Sequence, residues 1–306
     1  MNKWTAMFAA VLAAMLALGA GFPGRAASAA PTASAASAPA ESALRQHVRT
    51  WTDALSKQPA FRSWTSAERT IAPLGPGTHG WLVTFAAAGK PVGYMIVNAT
   101  PEGGYRLGEY GVGAHPAFYP VTLYNALIRQ GLVGSYAEIA KKPLRLERLY
   151  LSPVLAAWKW SASGGETYYL DAWTGEAMPV DDAAWQKQSK RTPGAITTAG
   201  SSGAPELSKL TAVRSNRAFD PFERMPWLTS SPLSAKQVQG LAGMLDKLQQ
   251  IRYTAELFNA SVLQVLPAVG YHGWNGGPLY VAFDQAFPGT RYVPVDALDR
   301  EGHFYR

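Results

Sequence analysis

Between Ala156 and Pro179 the chain reads AAWKWSASGGETYYLDAWTGEAMP, and this stretch most restricts what the chain can fold into. Trp158 and Trp160 alternate at the two-residue period of a strand. Ser163-Gly164-Gly165-Glu166 turns the chain, and Tyr168, Tyr169 and Leu170 carry it back. Thr174-Gly175-Glu176 supplies a second tight turn. Two aromatic-rich runs divided by Gly-Gly predict a β-hairpin. The rest of the N-terminal half reads as packing around it.

Strands with short connections precede the hairpin. Ala67–Leu74, Trp81–Phe85, Val92–Val97 and Tyr105–Gly111 are separated by turns rich in Gly and Pro. That order predicts an antiparallel meander. Leu144–Leu151 is a further strand leading into the hairpin. Helices flank these runs. Within Glu41–Gln58, Leu44, Val48, Trp51 and Leu55 fall on one face, and Pro59 stops the periodicity. Pro120–Leu132 carries Leu123, Leu127 and Ile128 on one face, with Gly131 near its end. A helix laid on one side of an antiparallel sheet buries the apolar faces of both, so the expected class is α+β.

Gln186–Arg217 is rich in Ser, Thr, Gly, Pro and Lys and lacks apolar periodicity, which predicts a linker. The expected organisation is therefore an export leader at 1–29, a spacer at 30–40, an α+β domain at 41–185, a linker at 186–217 and a second α+β domain at 218–306. In the last of these, Ser234 caps a helix carrying Val238, Leu241, Leu245 and Leu248, and Leu279–Asp284 is a strand.

The leader reads in three parts. Lys3 gives a basic start, Trp4–Phe22 is uncharged and apolar, and Ala27-Ser28-Ala29 is a small-residue cleavage site. An uncleaved anchor is the alternative, because the apolar run is long enough to span a bilayer. Either outcome puts the chain in the medium or on the outer face of the envelope. The net charge of +7 is spread out, with no dense basic footprint. It suits an anionic wall polymer or membrane surface and argues against nucleic acid.

The segment Tyr168-Tyr169-Leu170-Asp171-Ala172-Trp173-Thr174-Gly175-Glu176 resembles the closing hairpin of PepSY domains. Those domains occur in bacterial envelope and secreted proteins, including the propeptides of thermolysin-type metallopeptidases. The resemblance implies an α+β domain and a peptidase as partner. Turn chemistry alone would also select Asp171, Thr174 and Gly175, through an Asx-type turn and a positive φ. The segment Lys90–Val97, with Leu107-Gly108-Glu109-Tyr110-Gly111, looks like the pro-region-type domain ahead of some secreted cysteine peptidases. Val265–Leu298 resembles the C-terminal half of papain-like, bacteriocin-processing-type peptidase domains. Gly270-Tyr271 and Asp284 fit that pattern, whereas Gln264 stands where the family has its histidine. The resemblance thus implies a pseudo-peptidase.

The chain contains no cysteine, which removes disulfides, thiol nucleophiles and thiolate metal sites together. It also lacks the serine-hydrolase, zinc-protease, phosphate-loop and calcium-loop motifs. His47, His79 and His115 show no metal-ligand spacing, so no catalytic residue, cofactor or metal is expected. Tyr271-His272-Gly273-Trp274 reads as an aromatic binding tip on a Gly-rich loop, with Asp284 on the strand behind it. The alternative folds Trp274 back as a lid. The expected function is a non-catalytic exported protein that binds or modulates a peptidase or wall component. A hydrolase using His272 and Asp284 with a serine or water is the rival.

Overall fold

The computed structural model describes residues 37–76, 78–192 and 207–306. The leader, the spacer up to residue 36 and residues 193–206 of the linker lie outside them. The chain is α+β, built on a large antiparallel meander sheet.

Helix α1 (Ser37–Leu55) opens the described chain, so the spacer expected at 30–40 gives up its last four residues to a helix. Alanine at 38 and 40 favours that extension. Leu44, Val48, Trp51 and Leu55 are all buried, as their spacing requires. Pro59 begins a 3-10 helix, Pro59–Thr65. Its three-residue period sets Phe61 and Trp64 on the same side, and both are fully buried.

Strands β1 (Glu68–Pro73), β2 (Gly80–Ala87), β3 (Lys90–Ala99) and β4 (Tyr105–Gly113) form the expected meander. The chain then leaves the sheet. It builds α2 (Pro120–Arg129), α3 (Tyr136–Lys141) and a separate sheet of β5 (Arg145–Ser152), β6 (Leu155–Ser161), β7 (Thr167–Asp171) and β8 (Ala177–Met178). The hairpin Ala156–Pro179 lies there, with Trp158 paired to Leu170 and Trp160 to Tyr168.

After α4 (Asp182–Arg191) come β9 (Leu210–Ser215), the short helices α5 (Pro226–Thr229), α6 (Ala235–Gln239) and α7 (Leu241–Asp246), and then β10 (Ile251–Leu257), β11 (Val262–Trp274), β12 (Leu279–Asp284), β13 (Gly289–Pro294), α8 (Val295–Leu298) and β14 (His303–Tyr305). Strand β13 pairs with β4, Tyr292 opposite Tyr110 and Arg291 opposite Gly111. The large sheet therefore runs β1-β2-β3-β4-β13-β12-β11-β10-β14, with β9 beside β11.

This pairing corrects the expected division at 186–217. Strands from 41–185 and 218–306 share one sheet, because the open edge of β4 satisfies its backbone groups on β13. Within the supposed linker, Gln186–Arg191 belong to α4 and Leu210–Ser215 to β9. Composition reports local stiffness, and it carries no information about a partner strand far along the chain. The helix expected from Ser234 is also broken. Gly240 separates α6 from α7, and Leu248 lies beyond α7 with its side chain exposed.

One face of the large sheet is covered by α1 and the 3-10 helix, around Val83, Phe85, Met95, Tyr110 and Tyr280. The other face is covered in two parts. Helices α2 and α3 pack over Leu82, Tyr94 and Ile96, with Trp158 and Trp160 of the small sheet. Helices α4 and α7 pack over Tyr253, Val281, Phe283 and Val293, with Leu155 and Tyr169 from the opposite face of the small sheet. The small sheet thus contributes one face to each core.

Candidate functional site

Where the small sheet meets the large one lies a buried ion pair. Arg291 Nη2 donates to Glu109 Oε2 at 2.7 Å, and neither side chain reaches solvent appreciably. Alternation along β4 and β13 points both toward the small sheet, whereas Tyr110 and Tyr292 point to the opposite face. Tyr94 donates to Glu109 Oε1 at 2.8 Å and Tyr150 to Oε2 at 3.3 Å. Arg291 also donates to the carbonyl of Pro153 in the turn between β5 and β6. The Trp173 ring lies 3.6 Å from the guanidinium carbon, and its indole N–H donates to Tyr94 Oη at 3.1 Å. Arg291 Nε is buried without a hydrogen-bond partner. Burial is the largest single influence and works against the Arg291 charge, but the Glu109 carboxylate together with Tyr94 and Tyr150 outweighs it and raises the guanidinium pKa. Burial, reinforced by Glu109, holds Tyr94 and Tyr150 protonated.

The turn that resembles the PepSY hairpin closes this network from one side. Asp171 Oδ1 accepts from the Trp173 and Thr174 amides and from the Thr174 hydroxyl, at 2.8–3.0 Å. This is the Asx-type arrangement that turn chemistry requires. Gly175 has φ +71°, and a Cβ there would meet Ala126 Cβ at 2.8 Å. Gln130 of the α2 C-cap brackets the turn, donating to the Gly175 carbonyl at 3.1 Å and accepting from Ala177 N at 2.9 Å. Asp171 and Thr174 are therefore occupied within the protein, and Glu176 forms a surface ion pair with Arg129. The turn places Trp173 over Arg291.

The residues expected at a binding tip lie elsewhere. Tyr271, His272 and Trp274 sit inside β11, between β9 and β12, and all three are buried. The expected loop is a strand. Gly270 serves close backbone approach, because a Cβ there (φ +152°) would run into the Arg214 carbonyl of β9. Alternation also splits the trio. Tyr271 turns toward α7 and donates to Asp246 Oδ1 at 3.0 Å. His272 and Trp274 enter the core under α1 from within the strand.

There, Trp274 Nε1 donates to Tyr110 Oη at 3.2 Å, and Tyr110 Oη lies 2.9 Å from His272 Nδ1. With its oxygen accepting from Trp274, the tyrosine can donate its proton to Nδ1, which leaves the imidazole proton on Nε2. Tyr292 stacks on His272 with centroids 4.1 Å apart. Burial depresses the imidazole pKa to about 3.

Asp284 does not join His272. The partner of His272 is Tyr280, and Asp284 stands four residues further along β12, opposite Thr290. At ~3.3 Å per residue that is about 13 Å, far outside the reach of an acid–base pair. The rival reading, a hydrolase built on His272 and Asp284, is corrected on this geometry. Among the described residues no group of three or more His, Asp or Glu could hold a metal ion, and no helix is long and apolar enough to cross a membrane.

The Glu109–Arg291 pair escaped sequence reasoning because 182 residues separate its members. A signal was present in each strand. Glu109 and Arg291 occupy positions that alternation assigns to a buried face, where a charge needs a partner. Comparison of the chain with protein-family models, curated proteins and solved structures finds no match.

A second carboxyl links the sheets at their far side. Ser152 Oγ donates to Glu301 Oε2 at 2.5 Å, and burial raises the Glu301 pKa to about 7. The two shifted groups pull stability in opposite directions. Below pH 6.5 the unfolded chain protonates His272 while the folded one does not, so acid costs stability, by up to ~1.4 kcal/mol per pH unit, until about 3. Glu301 binds its proton more tightly when folded. Its contribution is complete below 4.5 and is lost as pH rises through about 7. The contributions of His272 and Glu301 should therefore largely offset each other between pH 4.5 and 6.5. Glu301→Gln should steepen the acid-side loss, and His272→Gln should leave a decline as pH rises from 4.5 to about 7. Parallel profiles for wild type and both variants would refute this assignment.

Proposed function

We propose that this is an exported protein of the cell envelope that works by binding, on a peptidase or a wall component, and not by turnover. The observation that carries this reading is the fate of the polar groups. The histidine and aspartate that offered hydrolysis are separated along β11 and β12, and His272 is buried among aromatic rings. Glu109, Arg291, Tyr94 and Tyr150 are committed to one another between the sheets. The leader-like N-terminus supports export. The hairpin's resemblance to PepSY domains supports a peptidase partner. Its Ser163–Glu166 turn is exposed, while the Thr174–Glu176 turn is docked on α2.

The test is capture. The exported chain should retain a co-secreted metallopeptidase or isolated wall material, and Gly164→Trp in the free turn should weaken a peptidase contact made there. Retention of neither would overturn the reading. So would hydrolysis of a peptide substrate by the pure chain, abolished in His272→Ala.

A further inference from the structure

A strand at the rim of a sheet leaves one row of amides and carbonyls to satisfy. In this protein the terminal strands β1, β14, β5 and β8 are blunted or covered. On β1, the bond from Leu74 N to the Gly80 carbonyl fixes the alternation, so the backbone groups of Arg69, Ile71 and Pro73 turn outward, and Pro73 has no amide to offer. The Phe304 carbonyl of β14 accepts from Leu233 N at 2.8 Å. The loop after β1 lies over β5, where a Cβ on Gly75 would meet the Arg148 carbonyl at 2.0 Å. Strand β8 is two residues long, precedes Pro179, and gives its Ala177 amide to Gln130 Oε1.

Strand β9 is different. Among the described residues it pairs with β11 alone, and Thr211, Ala212, Val213 and Ser215 are exposed. Asn216 N donates to the Val269 carbonyl at 2.7 Å, so alternation points the amides and carbonyls of Val213 and Ser215 away from β11. Leu210–Ser215 contains no proline, and its one charge, Arg214, is drawn back onto its own molecule. Arg214 Nε donates to Asn216 Oδ1 at 2.7 Å, and Nη2 donates to the Asp246 carbonyl at 3.3 Å. Val213 is 46% exposed and opens a stretch, ending at Leu248, that holds five of the six large apolar side chains exposed among the described residues. From Lys209 to Leu248, five exposed cations stand against three exposed carboxylates, Asp220, Glu223 and Asp246. A second molecule approaching this side meets little net charge.

We propose that the protein forms a two-fold homodimer in which β9 of one copy adds antiparallel to β9 of a second, joining the two large sheets into one. The strand is complementary to itself, as an isologous contact requires. With the axis beside Val213, the Val213 amide and carbonyl of each copy exchange hydrogen bonds with those of the other. That register sets valine opposite valine, a favourable β-branched pair, and Ser215 opposite Thr211. Arg214 then faces Ala212, so no like charges oppose each other within the strand. An axis beside Arg214 would set the two guanidinium groups opposite one another, which disfavours the slipped register. The dimer is independent of the export and binding reading above.

Sedimentation equilibrium of the exported chain should give twice the chain mass and show dissociation on dilution. Val213→Pro removes only an outward amide, so it keeps the ladder to β11 while deleting two bonds between the copies. It should weaken association about tenfold or more. Val213→Lys places two cations opposite each other at the axis and should weaken it at least as much. If the proline variant loses its thermal transition, the lysine variant carries the test alone. Cross-linking checks the register, because the chain has no cysteine of its own. Val213→Cys sets two thiols on residues whose Cα atoms lie about 5.5 Å apart across the axis, within reach of a disulfide. Mild oxidation should therefore link the copies. Ala212→Cys, with its Cα atoms about 8 Å apart, and Thr70→Cys on β1 should link far less. A chain that stays monomeric at every concentration, a dimer that neither Val213 variant weakens, or equal cross-linking at the three positions would each overturn the proposal.

Discussion

Arg291→Met should cost the fold about 3–5 kcal/mol, measured as the shift in urea unfolding free energy, because it leaves the Glu109 carboxylate buried without its cation. Glu109 lies in the interior with Tyr94 and Tyr150 as its remaining donors, and two phenols do not replace a guanidinium. The variant also releases the Pro153 carbonyl and the ring contact with Trp173, both of which tie the small sheet to the large one. A cycle separates these effects. Glu109→Leu combined with Arg291→Met removes both charges, and it should recover at least half of the loss, since an apolar replacement of a buried pair is often near neutral. A single-variant cost below about 1 kcal/mol would show that the pair is not what joins the sheets.

Trp64→Ala is expected to cost a similar amount, about 3–5 kcal/mol, for a different reason. The indole is fully buried, stacked on Phe85 with ring centres 3.9 Å apart and set edge-on to Phe61 at 4.9 Å. Its N–H donates to the Val92 carbonyl at 3.3 Å. Gly93 makes room for it, since a Cβ at that position would meet Trp64 Cζ2 at 2.5 Å. Removing the indole leaves a cavity between the 3-10 helix and the β2–β3 hairpin that the rigid sheet cannot close. Trp64→Phe should recover part of the loss. If Trp64→Ala moved the urea midpoint no more than a surface substitution does, the 3-10 segment would be a loose cover and not part of the core.

Much of the architecture was legible wherever the physics is local. The strands of the meander and the hairpin at 156–179 could be read from period-two alternation and Gly-containing turns. The buried face of α1 followed from the spacing of Leu44, Val48, Trp51 and Leu55. The Asp171 turn followed from the hydrogen-bonding reach of a short carboxylate. The site was far less legible. Tyr271-His272-Gly273-Trp274 reads as a loop because glycine usually marks turns, but here Gly270 admits the β9 backbone into the sheet. Gln186–Arg217 reads as a linker because it lacks apolar periodicity, and the exposed edge strand β9 needs none.

Local stereochemistry accounts for which segments are strands, which are helices and where the tight turns fall, because propensity, period and capping act over a few residues. The chain's lack of thiol chemistry is equally a matter of composition. Three-dimensional packing alone decided that β13 closes on β4, that one sheet spans both halves, and that Glu109 finds Arg291 across 182 residues. Strand pairing and ion pairing depend on which edges and which buried charges meet once the cores have formed. No short window of residues encodes that meeting.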